Sequence, residues 1–383
     1  MHHAHQEHKE HESHKVLATR PQVMALTVVT GLMLIIGIVI PNIFVNTKLS
    51  AQDVGNVIMP PGMIMTRTLS GEAMKDMRAV LPHEVNKDMV VGNQGDLPLK
   101  PTLENGFKVF RLEADIFKWN ILPNRSVDAY GFNGQVPGPQ IRVNEGDRVQ
   151  IQVTNHLPEP TSVHWHGLIL DNAMDGAGDI TQKPIQPRET YTYTFDAIQS
   201  GMYFYHSHYA PDRQQSLGLY GMLIIDPKDD TKNPQHDVET IVSLQEWLVR
   251  DGLTFPAMSM EGAFPNYFTI NGKSYPATET VKLKVGQTAL IRFVGSNNNF
   301  IHPMHIHGGP FEVVALDGEL LSPTARYKAD TVNVGPGQRY DVLWTARKPG
   351  KWLIHCHIPH HTTNDNVEMQ GGGGLMMILD VTE

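Results

Sequence analysis

Four pairs of histidines, each separated by one residue, hold the chemistry this sequence can do: His164/His166, His206/His208, His305/His307 and His355/His357. A strand projects alternate side chains to one face, so each pair sets two imidazoles side by side and four pairs offer eight convergent ligands. Imidazole suits zinc, copper, iron and nickel. The chain has a single cysteine, Cys356, between His355 and His357, and on a strand its side chain points to the opposite face from theirs. Two histidines and one thiolate in a trigonal arrangement, with a weak axial ligand, form a blue copper site. A metal on Cys356 and further metals on its two neighbours are then joined by a few covalent bonds, an electron wire between two redox centres.

The elements that must hold these pairs come in two copies. IRVNEGDRVQIQV at 141–153 is restated as VKLKVGQTALIRF at 281–293, HWHG at 164–167 as HIHG at 305–308, PRETYTY at 187–193 as PGQRYDV at 336–342, and GMYFYHSH at 201–208 as GKWLIHCH at 350–357. The copies read as short strands with alternating apolar residues, such as Val149, Ile151, Val153 and Tyr191, Tyr193, Phe195, between Gly, Pro and Asn turns. That pattern predicts two β-sandwich domains, over 105–230 and 231–383, with a short linker at about 227–240. Ser207 stands where the second copy has Cys356 and Thr161 where it has His302, so only the second copy is expected to build a thiolate site.

Length, charge and the N-terminus narrow the context. The chain has 383 residues, long enough for two cores, and a net charge of −9 with no basic cluster beyond the first fifty residues, which argues against a nucleic-acid surface. One cysteine excludes an intrachain disulfide. Val23 to Val45 carries no charged side chain and is long enough to cross a bilayer. It is longer than the apolar region of a cleaved signal, and Leu49-Ser50-Ala51 is a poor cleavage site, so an uncleaved anchor over 22–46 is expected. Lys15 and Arg20 before the span against Lys48 after it place the His-rich tail, 1–21, in the cytoplasm and everything catalytic on the extracytoplasmic side. The tail reads as solvated. Residues 47–104, rich in Pro, Gly, Met and Asp, read as a tether with one short helix near Gly71–Leu81.

HWHG, YHSH, HPMHIHG and HCHIPHH resemble the four copper motifs of the multicopper oxidases, the laccase and ceruloplasmin family, across residues 164–361. The resemblance implies an all-β chain of two cupredoxin-like Greek-key sandwich domains behind the transmembrane helix and tether. It implies four coppers per subunit. His302, Cys356 and His361 would hold the type 1 copper, which accepts substrate electrons. His164 and His305 would hold type 2, and His166, His206, His208, His307, His355 and His357 the type 3 pair. The family commonly has an axial Met ten residues after the cysteine, where this chain has Asn366; Met369 is the expected axial ligand and Met376 the alternative. Asp175, nine residues after His166, matches an acidic position expected to relay protons. The second such position is Thr362, which leaves Asp365 and Glu368 open. His83, His156, His236 and His360 fall off the motifs and read as loop histidines.

The activity so implied is one-electron oxidation of a phenol or aromatic amine coupled to reduction of O2 to water. A metallo-oxidase acting on Cu(I), Fe(II) or Mn(II) is the alternative, suggested by 18 methionines, including Met59, Met63, Met65, Met258 and Met260. Similar nitrite reductases carry the blue-copper cysteine in the first domain and need no type 3 pair, whereas here the cysteine is in the second domain and every type 3 position is filled. A non-catalytic copper store explains neither the paired motifs nor the place of Cys356. Three-domain laccases use a middle domain to bring the outer two together. This chain has none, so a head-to-tail homotrimer with its three-copper clusters at subunit interfaces is expected.

Overall fold

The structure, a computed structural model, describes residues 20–21, 24–29, 31–32, 77–259, 263–297 and 299–383. The chain divides into two compact units, 1–56 and 57–383. In the first, residues 20–21, 24–29 and 31–32 are helical. No helix among the described residues is long and apolar enough to cross a membrane; most of the expected span and nearly all of the histidine-rich tail lie outside them.

The second unit is two sandwiches of the same plan. In the first half, Phe107–Leu122 pairs in parallel with Arg148–Asn155 and antiparallel with Arg125–Phe132, and Arg148–Asn155 continues to Thr190–Asp196. Facing it is a sheet in the order Gly138–Asn144, Tyr220–Asp226, Gly201–Ser207, Val163–His166. The second half repeats this facing sheet as Thr280–Lys284, Met376–Thr382, Gly350–Cys356, His302–Ile306, with Thr331–Val334 added at the edge. Alternation explains the layers. Val149, Ile151 and Val153 are buried between the sheets while Gln150 and Gln152 face outward. Phe110, Ile151, Trp165, Tyr193 and Leu223 fill the first core, and Val242, Ile291, Met304, Trp344 and Leu379 fill the second.

Matching turns enforce the repeat. Gly146 and Gly286 both take a left-handed conformation, φ 95° and 92°, that costs glycine little. Beside each, a side chain closes the turn: Asp147 Oδ2 accepts from Asn144 N, and Gln287 Oε1 accepts from Lys284 N at 2.7 Å. The halves pack through a shared apolar cluster that includes Trp119, Phe204, Tyr220 and Met222 from one and Trp247, Tyr267 and Val294 from the other. Trp119 Nε1 donates to Gly272 O at 2.7 Å across that contact.

The expected tether differs in its second part. From residue 79 the chain is strapped onto the sandwiches rather than free. Ala79 and Val80 are fully buried, Val80 N donates to Thr254 O, Asn86 N donates to Ile116 O, and Thr102–Glu104 pairs with the start of the long strand at Phe107. Glu84 forms ion pairs with Arg78 and with buried Arg213. Residues 78–81 are not helical, and 71–76 lie outside the described residues. Single anchors spaced through polar, Pro-rich sequence leave no period, which is why composition alone suggested a linker. A tether residue truncated to alanine should change stability by under about 0.5 kcal/mol. Val80→Ala, by contrast, should cost about 2 kcal/mol in denaturant unfolding, from lost burial and the cavity left behind.

Candidate metal centres

Strand register builds the thiolate site. Cys356 ends Gly350–Cys356 and lies opposite Met304 in His302–Ile306, which brings His302 to the same end of the sheet. The chain then turns through the short 3-10 segment Pro359–Thr362, returning His361 to the same point. All three side chains are buried: His302 at 0%, Cys356 at 1% and His361 at 6% exposure. His302 Nδ1 and His361 Nδ1 are 3.0 Å apart, and Cys356 Sγ is 3.7 Å from the first and 3.6 Å from the second. This triangle of two nitrogens and one sulfur fits a trigonal metal site with ordinary metal–ligand bond lengths of about 2.0 to 2.3 Å. In the first half the corresponding place holds no metal donors. Thr161 and Ser207 both donate to Gln214 Oε1, at 2.8 and 2.6 Å, a sealed hydrogen-bond cluster.

The H-x-H pairs form two half-sites, one per half of the unit. His164 is opposite His206 and His305 is opposite His355, the same register in each sheet. His164 has the rings of His166, His206 and His208 within 5.6 Å, and His305 has those of His307, His355 and His357 within 5.7 Å. Ligand nitrogens converge within each: His166 Nδ1 is 3.3 Å from His206 Nε2, and His307 Nε2 is 3.1 Å from His355 Nε2. Backbone carbonyls fix which nitrogen faces inward. The Nδ1 atoms of His164, His206, His305 and His355 contact the carbonyls of Asp175, Ser207, Asp330 and Cys356 at 2.7 to 2.9 Å, which leaves Nε2 as the ligand atom. The glycine of each H-x-H-G motif turns the chain away. Gly167 and Gly308 have φ near 89° and 86°, and a Cβ there would press on the Arg339 guanidinium or on Trp344 and Trp352. Among the described residues, no group of three clustered ligands draws on both halves.

Comparison with known proteins agrees with this geometry. Multicopper oxidase family models match residues 115–230 and 254–367. A solved structure of the multicopper oxidase mgLAC is 33% identical, with a TM-score of 0.65 over 71% of this chain and 86% of that one. The chain belongs to the multicopper oxidases. The blue copper oxidase of Nitrosomonas europaea is also 33% identical, with a TM-score of 0.65 over 71% of this chain and 85% of that one. Among curated relatives, Laccase-7 of Oryza sativa subsp. japonica is 35% identical over 233 residues, which is 57% of this chain and 41% of that protein. The chain thus spans less than half the length of that relative. Copper is the metal of this family, and the donor sets fit it.

Two expectations about a multicopper oxidase site change with the structure. Met369 exposes 52% of its surface, and its sulfur faces the Asn364 carboxamide at 3.9 Å, so it is not buried with the triad. Met376 pairs opposite His355, which puts its side chain on the face away from Cys356. The residue beside both ligands is Leu375: its carbonyl accepts from Cys356 N at 3.1 Å, its N donates to His361 O at 2.9 Å, and its side chain shares the core with Cys356. The glycine-rich insertion before Leu375 lengthens the loop, and counting from the cysteine therefore pointed elsewhere.

The acids separate clearly. Asp175 lies beside His164, with Oδ1 at 3.5 Å from Nδ1. Its structural counterpart in the second half, Asp330, holds His305 through its carbonyl, and sequence reasoning missed it because no spacing rule singles out that aspartate. Asp365 is exposed and accepts from Asn266, and Glu368 is also exposed. His360 borders His361 at the surface, whereas His236 contacts Pro234 O in its own loop, away from the ligands.

Burial shifts the protonation of several ligands. It pushes His206 and His361 down to about 3 and, with Arg339 nearby, His166 down to about 4. It pushes the Cys356 thiol up to about 12, so a metal must displace that proton on binding. In the unfolded chain a histidine titrates near about 6.5. Between the two values the unfolded state binds more protons, so stability rises with pH; the contribution is complete above about 6.5 and is lost as pH falls toward the folded values. Buried acids such as Asp341, raised by burial, act in the opposite sense. The comparison is therefore with His206→Gln. Copper-free protein should lose unfolding free energy relative to that variant as pH falls from about 6.5 to 4, measured by urea titration. A constant difference would contradict the buried neutral imidazole.

Proposed function

We propose that this chain is the subunit of a laccase-like oxidase, taking single electrons from an aromatic donor beside His361 and passing them to dioxygen, which is reduced to water. The observation that carries the reading is the covalent adjacency of Cys356, facing the buried triad, to His355 and His357 on the half-site side. Copper would supply one-electron exchange at the triad and dioxygen reduction at the histidine cluster, with four coppers per subunit: one type 1, one type 2 and a type 3 pair. Beyond the peptide backbone, a hydrogen bond links the two sides, since His355 Nδ1 contacts the carbonyl of Cys356 itself at 2.9 Å. Asp175, part-exposed next to His164, is placed to pass protons toward that cluster.

The donor class follows from the walls of a cavity of about 410 Å3 at His361. Phe264, Phe268 and Phe300 line it with Arg250, Pro265, His360 and Asn366, and Phe268 stacks on the His361 ring at 4.4 Å. Aromatic walls hold an aromatic donor by stacking. No carboxylate or methionine is among the described residues lining this cavity. Met258 packs against a small apolar cluster, and Met260 lies outside the described residues. Each half-site needs a complement, and we place it in a neighbouring copy, in a head-to-tail trimer. The uncharged run over 23–45 supports a membrane anchor with these domains on the extracytoplasmic side.

Cys356→Ser should keep the fold and abolish oxygen uptake driven by a phenolic donor; retained uptake would refute the wire. For the trimer, one chain carrying His164→Ala and His206→Ala is co-expressed with one carrying His305→Ala and His355→Ala. Each alone should be inactive, while the mixture should regain uptake from the about one quarter of interfaces that unite two intact half-sites. An inactive mixture would put both halves of the centre in one chain.

A further inference from the structure

One acidic side chain outside the ligand set reaches the triad from inside the protein. Glu246 lies on Val238–Arg250 and is 1% exposed. Its Oε1 accepts from His302 Nε2 at 3.0 Å and from Phe300 N at 3.2 Å, and its Oε2 accepts from Asn299 N at 2.9 Å. Each oxygen already accepts from a backbone N–H group, so a carboxylate here takes His302 as a further donor. The contact puts the His302 proton on Nε2 and leaves the lone pair on Nδ1, the atom facing His361 and Cys356.

The half that lacks the thiolate triad supplies a control. Glu246 pairs with Phe268, two register positions from the Leu244–Ile270 pair at the turn closed by the Ile270–Lys273 bridge. In the first half Ile116 pairs with Tyr130, two register positions from the Ala114–Phe132 pair at the turn closed by the Phe132–Gln135 bridge. Ile116 therefore occupies the position of Glu246, fully buried, in the half where Thr161, Ser207 and Gln214 replace the triad. An apolar residue fills this core position where there is no ligand to hold. Burying a carboxyl group is costly unless it is paired, and here the paired side chain is a ligand histidine.

We infer that Glu246 is a positioning residue for the thiolate copper site: it fixes the tautomer and orientation of His302 and, by making that imidazole a stronger donor, lowers the copper potential. The inference rests on the reading of the triad as a type 1 copper site. In the full chain loaded with copper, Glu246→Gln should keep its copper, with a type 1 potential higher than wild type and a displaced blue absorption band. E246I, copying the first half, should bind type 1 copper about 10- to 100-fold more weakly. In copper-free protein, 15N NMR should find His302 protonated on Nε2 in the wild type and redistributed between nitrogens in E246I. An unchanged or lowered potential in Glu246→Gln overturns the inference, as does a wild-type tautomer ratio in E246I. If E246I does not fold, Glu246→Gln decides alone. A wild-type protein without a blue band would instead overturn the copper reading beneath it.

Discussion

Everything in this molecule is arranged around the alternation of side chains in Ile354-His355-Cys356-His357. One extended segment presents a thiol to a dry pocket inside a sandwich and two imidazoles to the opposite side. The sheet makes the alternation rigid, because this strand is held on one edge by Met376–Thr382 and on the other by His302–Ile306. A shift of one residue would exchange the faces and dissolve both centres. The core that fixes the register, with Ile354, Leu375, Met377 and Leu379 all buried, is thus part of the redox device as much as of the fold.

The repeat shows how one scaffold carries two degrees of function. Both halves keep the H-x-H register and the carbonyl contacts that orient Nε2. Only the second half keeps the thiolate pocket. In the first, hydroxyl and amide groups satisfy one another in the same place, and an apolar residue stands where the second half has a buried acid. Removing a metal site from a core takes more than removing its ligands: the remaining polar groups must find partners and the supporting charge must go.

Much of this was legible in the residues. The four H-x-H pairs report their faces through strand periodicity, and the restated motifs fixed two like sandwiches, because period and spacing are local properties. Features that depend on where distant segments meet were not legible. Glu246 is 56 residues from His302 and is recognisable only once two strands are packed. Leu375 was hidden by the longer loop before it. Asp330 looked like any surface aspartate until its carbonyl met His305. The strap over 79–104 anchors through isolated residues, so its composition resembled that of a linker.

The central claim is four coppers per chain in three electronic environments. Copper content and electron paramagnetic resonance on the purified, oxidised protein test this together. The account predicts four coppers per chain, half of them visible, as equal type 1 and type 2 signals, with the type 3 pair silent. Two coppers per chain, both visible, would mean that the half-sites do not assemble a three-copper centre, and the oxidase account would be wrong.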